Sequence, residues 1–202
     1  MIRFPTLMLL PVLILGGCGL SQPYPRRATF AIDAGKPEAI SPPGAATVCI
    51  QAVRIVKPYD GQLFVYKTGP SEFTQDYYAG FIAAPEKLLS AQLAQWLNDS
   101  GAVKYAVGAG SLLAYNCILE LNVTDFYADY SDPKKPRAIL ELHAFLMPED
   151  PSNPRILLQK HYQESEPLPA AEPAQLIEGW NKSCRRILIQ LAQDIAAATQ
   201  PK

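Results

Sequence analysis

One stripe near the C-terminus constrains this chain more than anything else in it. Leu176, Ile177, Trp180, Cys184, Ile187, Leu188, Leu191 and Ile195 recur at steps of three and four. That spacing sets them on one face of a helix about five turns long. Burying the face contributes on the order of 12–24 kcal/mol before entropy is subtracted, so something must cover it. The cover is visible upstream. In 116–127, Cys117, Leu119, Leu121 and Val123 alternate with Glu120, Asn122 and Thr124. In 137–147, Leu140, Leu142, Ala144 and Leu146 lie opposite Glu141 and His143. Alternation of this kind marks strands with one apolar face. A coiled coil would satisfy the helix but leave those faces bare. The expected fold is therefore α+β and two-layered, a mainly antiparallel sheet of about four to five strands with two helices packed on one face.

The remaining elements fall into place around turn residues. Segment 47–56 is rich in β-branched residues and ends at Pro58-Tyr59-Asp60-Gly61. Segment 63–68 is a second strand, closed by Gly69-Pro70, and 156–163 is a last one. Pro85 opens a helix carrying Leu88, Leu89, Leu93, Trp96 and Leu97 on one face, and Gly101 stops it. Residues 73–81 read as an irregular aromatic stretch, 108–111 as a loop, and 166–173 as a linker into the final helix. One domain thus spans 47–199. Residues 18–46, with Pro23, Pro25, Pro37, Pro42 and Pro43, form a Pro-rich tether, within which 28–32 alternates like a short edge strand.

The N-terminus says where such a domain resides. Arg3 precedes an apolar run from Phe4 to Leu15, too short to span a bilayer and of the length of a secretory h-region. Leu15-Gly16-Gly17-Cys18 follows and looks like a bacterial lipobox. Residues 1–17 are then a signal peptide, and Cys18 is the acylated mature N-terminus. Two or more acyl chains give stable anchoring without a transmembrane segment. Gly19, rather than Asp, resembles lipoproteins sent on to the outer membrane, so the expected location is its periplasmic face. Cleavage removes Arg3 from the 18 basic side chains that stand against 19 acidic ones, leaving net −2. The lipid, not charge, does the anchoring.

Little in the chain reads as catalytic. The near-neutral charge argues against nucleic acid as partner. No Ser/His/Asp arrangement, phosphate loop or zinc-protease motif occurs. The two histidines, His143 and His161, lie on the polar sides of their strands and could be hairpin neighbours, but only Glu141 stands near as a further metal ligand. The chain is expected to be no enzyme, with neither cofactor nor metal. Of the cysteines beyond Cys18, Cys117 and Cys184 sit on the two apolar surfaces expected to meet. In an oxidising compartment they are a disulfide candidate, with Cys49 as the competing partner and small buried hydrophobes as the alternative. Tyr59, Phe64, Tyr66, Phe73, Tyr77, Tyr78 and Phe81 crowd one turn-rich span. Such aromatics are enriched at protein interfaces, and capping the open end of the sheet as core is the alternative reading.

The succession of motifs resembles one family. Pro58-Tyr59-Asp60, Leu63-Phe64-Val65-Tyr66-Lys67, Asp76-Tyr77-Tyr78 with Phe81, and the Pro85 helix closing at Ser100-Gly101 come first. Leu119-Glu120-Leu121-Asn122-Val123, Asp125-Phe126-Tyr127-Ala128-Asp129-Tyr130 and Trp180-Asn181 follow in order. Together they are similar to the ABC-type transport auxiliary lipoproteins, the PqiC-like partners of MCE transport systems. The likeness runs over about residues 28–198; Phe81 departs from it, because relatives often carry Trp there. It implies a non-enzymatic accessory that docks an MCE-domain protein, itself served by a permease and an ATPase. Tyr66, Tyr77, Tyr78 and Phe81 are the docking candidates, and homo-oligomerisation is compatible with the role. The rival readings are an outer-membrane assembly or cell-wall-synthase activator lipoprotein, and a lipid-binding lipoprotein.

Overall fold

The computed structural model describes residues 26–150, 152 and 155–200. In chain order its elements are β1 (Ala28–Phe30), β2 (Thr47–Ile55), β3 (Leu63–Lys67), β4 (Phe73–Phe81), α1 (Pro85–Ser100), β5 (Tyr105–Gly108), β6 (Cys117–Asp129), β7 (Arg137–Pro148), β8 (Leu158–Pro167) and α2 (Pro173–Ala198). The expected signal peptide and Cys18 lie outside the described residues.

All eight strands belong to one sheet organised on β6. One edge of β6 pairs with β7 along its whole length, Cys117↔Pro148 to Asp129↔Arg137, and β8 extends that side. The other edge is shared. β2 runs parallel to its first half, Val48↔Cys117 to Ile55↔Val123, while β3 takes its last residues, Tyr66↔Ala128 and Lys67↔Asp129. The sheet therefore forks, one branch continuing to β5 and the other to β4 and β1. This corrects the expected mainly antiparallel sheet of four to five strands. β1–β4, β2–β5, β2–β6 and β3–β6 are parallel, and only β3–β4, β6–β7 and β7–β8 are antiparallel. The parallel pairs of β2 exist because the chain leaves it, builds β3, β4 and α1, and only then returns to pair β5 and β6 with it, the long crossover that parallel pairing needs.

Both helices pack on one face. α2 lies over β7 and β8, and α1 over β2 and β5. The apolar positions of the α2 stripe are all buried, as are Leu119, Leu121, Val123, Leu140, Leu142, Ala144 and Leu146 beneath them. Where the fork opens, aromatic rings fill the space. Trp180 packs at 4.5 Å from Phe126, 5.1 Å from Phe64 and 5.4 Å from Phe81, centroid to centroid. Its indole N–H donates to the Ile139 carbonyl at 3.1 Å, which settles the one polar atom of a buried ring. Gly179 precedes it because a Cβ there would lie 2.5 Å from Leu168 Cδ2 and 2.9 Å from Ala138 Cβ.

The tether is shorter than its composition suggests. β1 docks on β4, and the chain from Ile32 to Ala46 straps across the helices. Ile32, Ala34 and Ala46 are buried. The Ala34 N–H donates to Gln92 on α1, and Arg185 on α2 donates to the Ala34 and Lys36 carbonyls. No described helix is long and apolar enough to cross a membrane.

Candidate functional site

With both helices on one side, no element among the described residues covers the other face of the sheet. Alternation fixes what it shows. Glu120, Asn122, Asp125, Tyr127 and Asp129 on β6 stand opposite Phe145, His143, Glu141, Ile139 and Arg137 on β7. At the centre His143 and His161 stack, ring centroids 4.4 Å apart and planes within 9°. His161 Nε2 lies 3.3 Å from Glu141 Oε2, and the Gln163 amide donates to Glu141 Oε1 at 2.6 Å. The sequence anticipated the His–His adjacency. Among the described residues no group of three or more His, Cys, Asp and Glu side chains is disposed to hold a metal ion.

Asp125 is the strained member of this centre. Burial pushes its carboxyl above the usual range and Glu141 adds to the shift; His161 and Lys67 pull the other way without cancelling it. Apolar groups flank the polar centre. At one end Tyr59, Phe73 and Tyr127 form a ring cluster with centroids 5.5–6.3 Å apart. At the other a shallow cavity of about 380 Å³ is lined by Ile118, Met147, Pro148, Glu149, Arg155 and Ile156.

The aromatic span itself divides. It is not irregular: residues 73–81 are strand β4, interrupted by a bulge where pairing jumps from Val65↔Gln75 to Leu63↔Gly80. Asp76 builds that bulge. Its Oδ1 accepts from the N–H groups of Tyr78 and Ala79 at 2.7 and 3.1 Å, and its Oδ2 accepts from the Tyr66 hydroxyl at 2.5 Å. Burial first, then the Asp76 hydrogen bond and charge, hold the Tyr66 phenol well above the ordinary tyrosine value. Tyr66 is thus half-buried and engaged, whereas Tyr77 and Tyr78 project outward at 74% and 45% exposure. Phe81, 3% exposed and stacked on Phe126 and Trp180, belongs to the core and offers no docking surface. Composition gave no sign of this, because β4 turns inward only from Ala79 onward. Asp76 enters the sequence reading only as part of a motif; an Asp two residues before an exposed N–H is the signal that could have marked it.

The disulfide candidate does not form. Cys49, Cys117 and Cys184 are all buried and free. Cys117 pairs with Val48 and Pro148 at the start of β6. Cys184 shares its internal space with Leu121, Val123, Leu140 and Leu142. Cys184 thus packs at the level of Leu121, four residues along β6 from Cys117.

Solved structures share this architecture. Protein XCC0632 from Xanthomonas campestris, of family-model DUF330, matches with a TM-score of 0.75 at 16% identity, over 85% of this chain and 96% of its own. A second, an uncharacterized protein, matches with TM-score 0.62 at 13% identity, over 80% of this chain and 99% of its own. CT253 from Chlamydia trachomatis matches at 0.51 and 10%, over 76% of this chain and 99% of its own. At these identities the likeness is one of fold. No family model matches the chain, and no curated protein matches it. Fold and site together define a two-layer, mixed-sheet domain with one face uncovered among the described residues, and its fold is shared with a DUF330 protein.

Proposed function

We propose that this chain is a lipid-anchored envelope protein, the non-enzymatic docking component of an MCE-type ABC lipid transport system. The observation that carries the reading is the one-sided sheet. A domain of this size that buries one face and leaves the other bare, with ring clusters and an apolar groove at its ends, presents a surface for a partner. The succession of motifs similar to the auxiliary lipoproteins and the shared fold with a DUF330 protein support the same reading from separate directions. Cys18 would supply location, at the periplasmic face of the outer membrane. The open face would supply contact with the MCE-domain protein, and the system's ATPase would supply energy.

Crosslinking of the full chain in native envelopes tests this. The expected result is recovery of an MCE-domain protein, lost when Phe73→Glu and Ile156→Glu are introduced. Both side chains are partly exposed, at 42% and 56%, and unchanged far-UV circular dichroism of the variants separates a lost contact from a lost fold. Recovery of an outer-membrane assembly factor or a cell-wall synthase instead would overturn the proposal. Absence of palmitate incorporation, or membrane retention of Cys18→Ser, would overturn the anchor.

The groove at Ile118, Met147 and Ile156 favours a second reading, a lipid-binding lipoprotein. Native mass spectrometry separates the two: a co-purifying lipid that Ile156→Glu removes would select lipid binding over docking.

A further inference from the structure

The Asp76 bulge spends one carboxylate on holding two tyrosines out in water, and the chain approaches them from a telling direction. β1 runs parallel to β4 with Ala28 paired to Ala79. The residues immediately before that pair are Arg26-Arg27, just ahead of β1, and Tyr77-Tyr78 on β4, all four exposed. Ile82, whose N–H donates to the Phe30 carbonyl at the other end of β1, is 62% exposed. One sheet edge thus gathers exposed aromatic, aliphatic and guanidinium groups where the N-terminal segment enters the fold.

We propose that this edge is a membrane footprint: Tyr77, Tyr78 and Ile82 seat in the headgroup layer of the bilayer, and Arg26 and Arg27 bind its phosphates. The inference rests on the Cys18 anchor proposed above. Three considerations choose a lipid surface over a protein or a second copy. The first is reach. Gly19 to Arg27 is nine residues, at most about 30 Å fully extended. The β1–β4 edge is therefore held near the bilayer, while β5 lies at the far end of the strand order. The second is chemistry. Tyrosine has an apolar ring and a polar tip suited to the interfacial belt, and arginine donates in the fork that matches phosphate oxygens. The third is charge. Asp76, the carboxylate of the bulge, is occupied by Tyr66 and two backbone N–H groups. The arginines thus stand as a local positive site on a chain whose overall balance repels anionic lipid. They orient the domain; they do not anchor it.

The test uses the full lipidated chain in vesicles of phosphatidylethanolamine and phosphatidylglycerol, with and without brominated acyl chains. The native Trp96 and Trp180 are 2% and 1% exposed and form a constant background, measured on the parent chain and subtracted. Tyr77→Trp and Tyr78→Trp each add a probe at the edge, and Leu112→Trp adds one on the exposed loop after β5. Bromine is expected to quench the added emission about twofold at 77 and 78 and to leave 112 unchanged, as depth in an interfacial belt requires. Arg26→Glu with Arg27→Glu should abolish most of that quenching while the protein still floats with the vesicles. Flotation without quenching at 77 and 78, or quenching at 112 instead, overturns the footprint and leaves the anchor standing. Failure to float overturns both.

Discussion

Arg186 on α2 clamps Glu166 on β8, with Nη2 donating to Oε2 at 2.8 Å, while its Nε donates to Glu164 at 2.7 Å. Lys182, one turn earlier, adds a contact to Glu166 Oε1 at 3.4 Å. β8 is an edge strand whose inward positions, Lys160, Tyr162, Glu164 and Glu166, are mostly polar, so α2 is fastened there by charge rather than by apolar burial. Burial alone would raise the Glu166 carboxyl, but the hydrogen bonds and charges of Arg186 and Lys182 outweigh it and hold it below the ordinary value. A depressed carboxylate stabilises the fold above its unfolded pKa and loses that contribution as pH falls through the folded value. Glu166→Gln should therefore cost about 0.5–1 kcal/mol at pH 7, discounted for the partial exposure of Arg186. The deficit should shrink as pH falls below the unfolded glutamate value of about 4.3 and vanish once the folded carboxyl is protonated as well, and urea titrations of both proteins across that range check it.

Asp76→Ala should collapse the β4 bulge. It removes three acceptor contacts at once, so a loss of about 1–2 kcal/mol is expected. Asp76→Asn, which keeps the Oδ1 acceptor for the Tyr78 and Ala79 N–H groups, should lose less. Tyr66→Phe should leave the bulge in place, because the backbone contacts survive. Denaturant midpoints rank the three variants, and the order Ala, Asn, Phe from most to least damaging is the expected outcome.

Local periodicity carried the parts of the fold that depend on one element at a time. The α2 stripe and the alternation in β6 and β7 are properties of their own segments, and so is the adjacency of His143 and His161 across the hairpin they share. Strand partners are not local. Nothing in 47–56 announces that its neighbour is a parallel strand some seventy residues on, with α1 and β5 between. β5 is too short to show a period, and β4 hides behind Thr74, Gln75 and Asp76, polar residues that follow bulge geometry rather than alternation. Phe81 fails for a different reason. An aromatic ring has the same sequence signature in a core and on an interface, and only the inward turn of β4 at Ala79 decides between them.

The three cysteines of the folded domain should behave as inert hydrophobes. Burial raises the thiol of each, that of Cys184 to about 12, so little thiolate is available at neutral pH. Ellman's reagent should find no reactive thiol in the native mature protein and three in urea. A titration that stays at one thiol in urea would reveal a bridge and overturn this expectation.

Asp125→Asn should stabilise the protein. The carboxyl sits between strands on the open face, pushed up by burial and by Glu141 opposite, so its ionised form is less favourable folded than unfolded. For a raised carboxylate the sign of linkage reverses. Stability is highest while the group is protonated and falls as pH rises from the unfolded value through the folded one. At pH 7 the variant should melt above the parent, and the difference should shrink toward zero near about pH 2.5, below the ordinary aspartate value of about 3.9, where Asp125 is protonated in both states. Thermal melts at the two pH values measure this directly. Asp125 lies on the face that neither helix covers, where a partner would meet it. If the open face docks a partner, the same variant should weaken its capture in the crosslinking experiment while raising Tm, a divergence that a purely structural role for Asp125 would not produce.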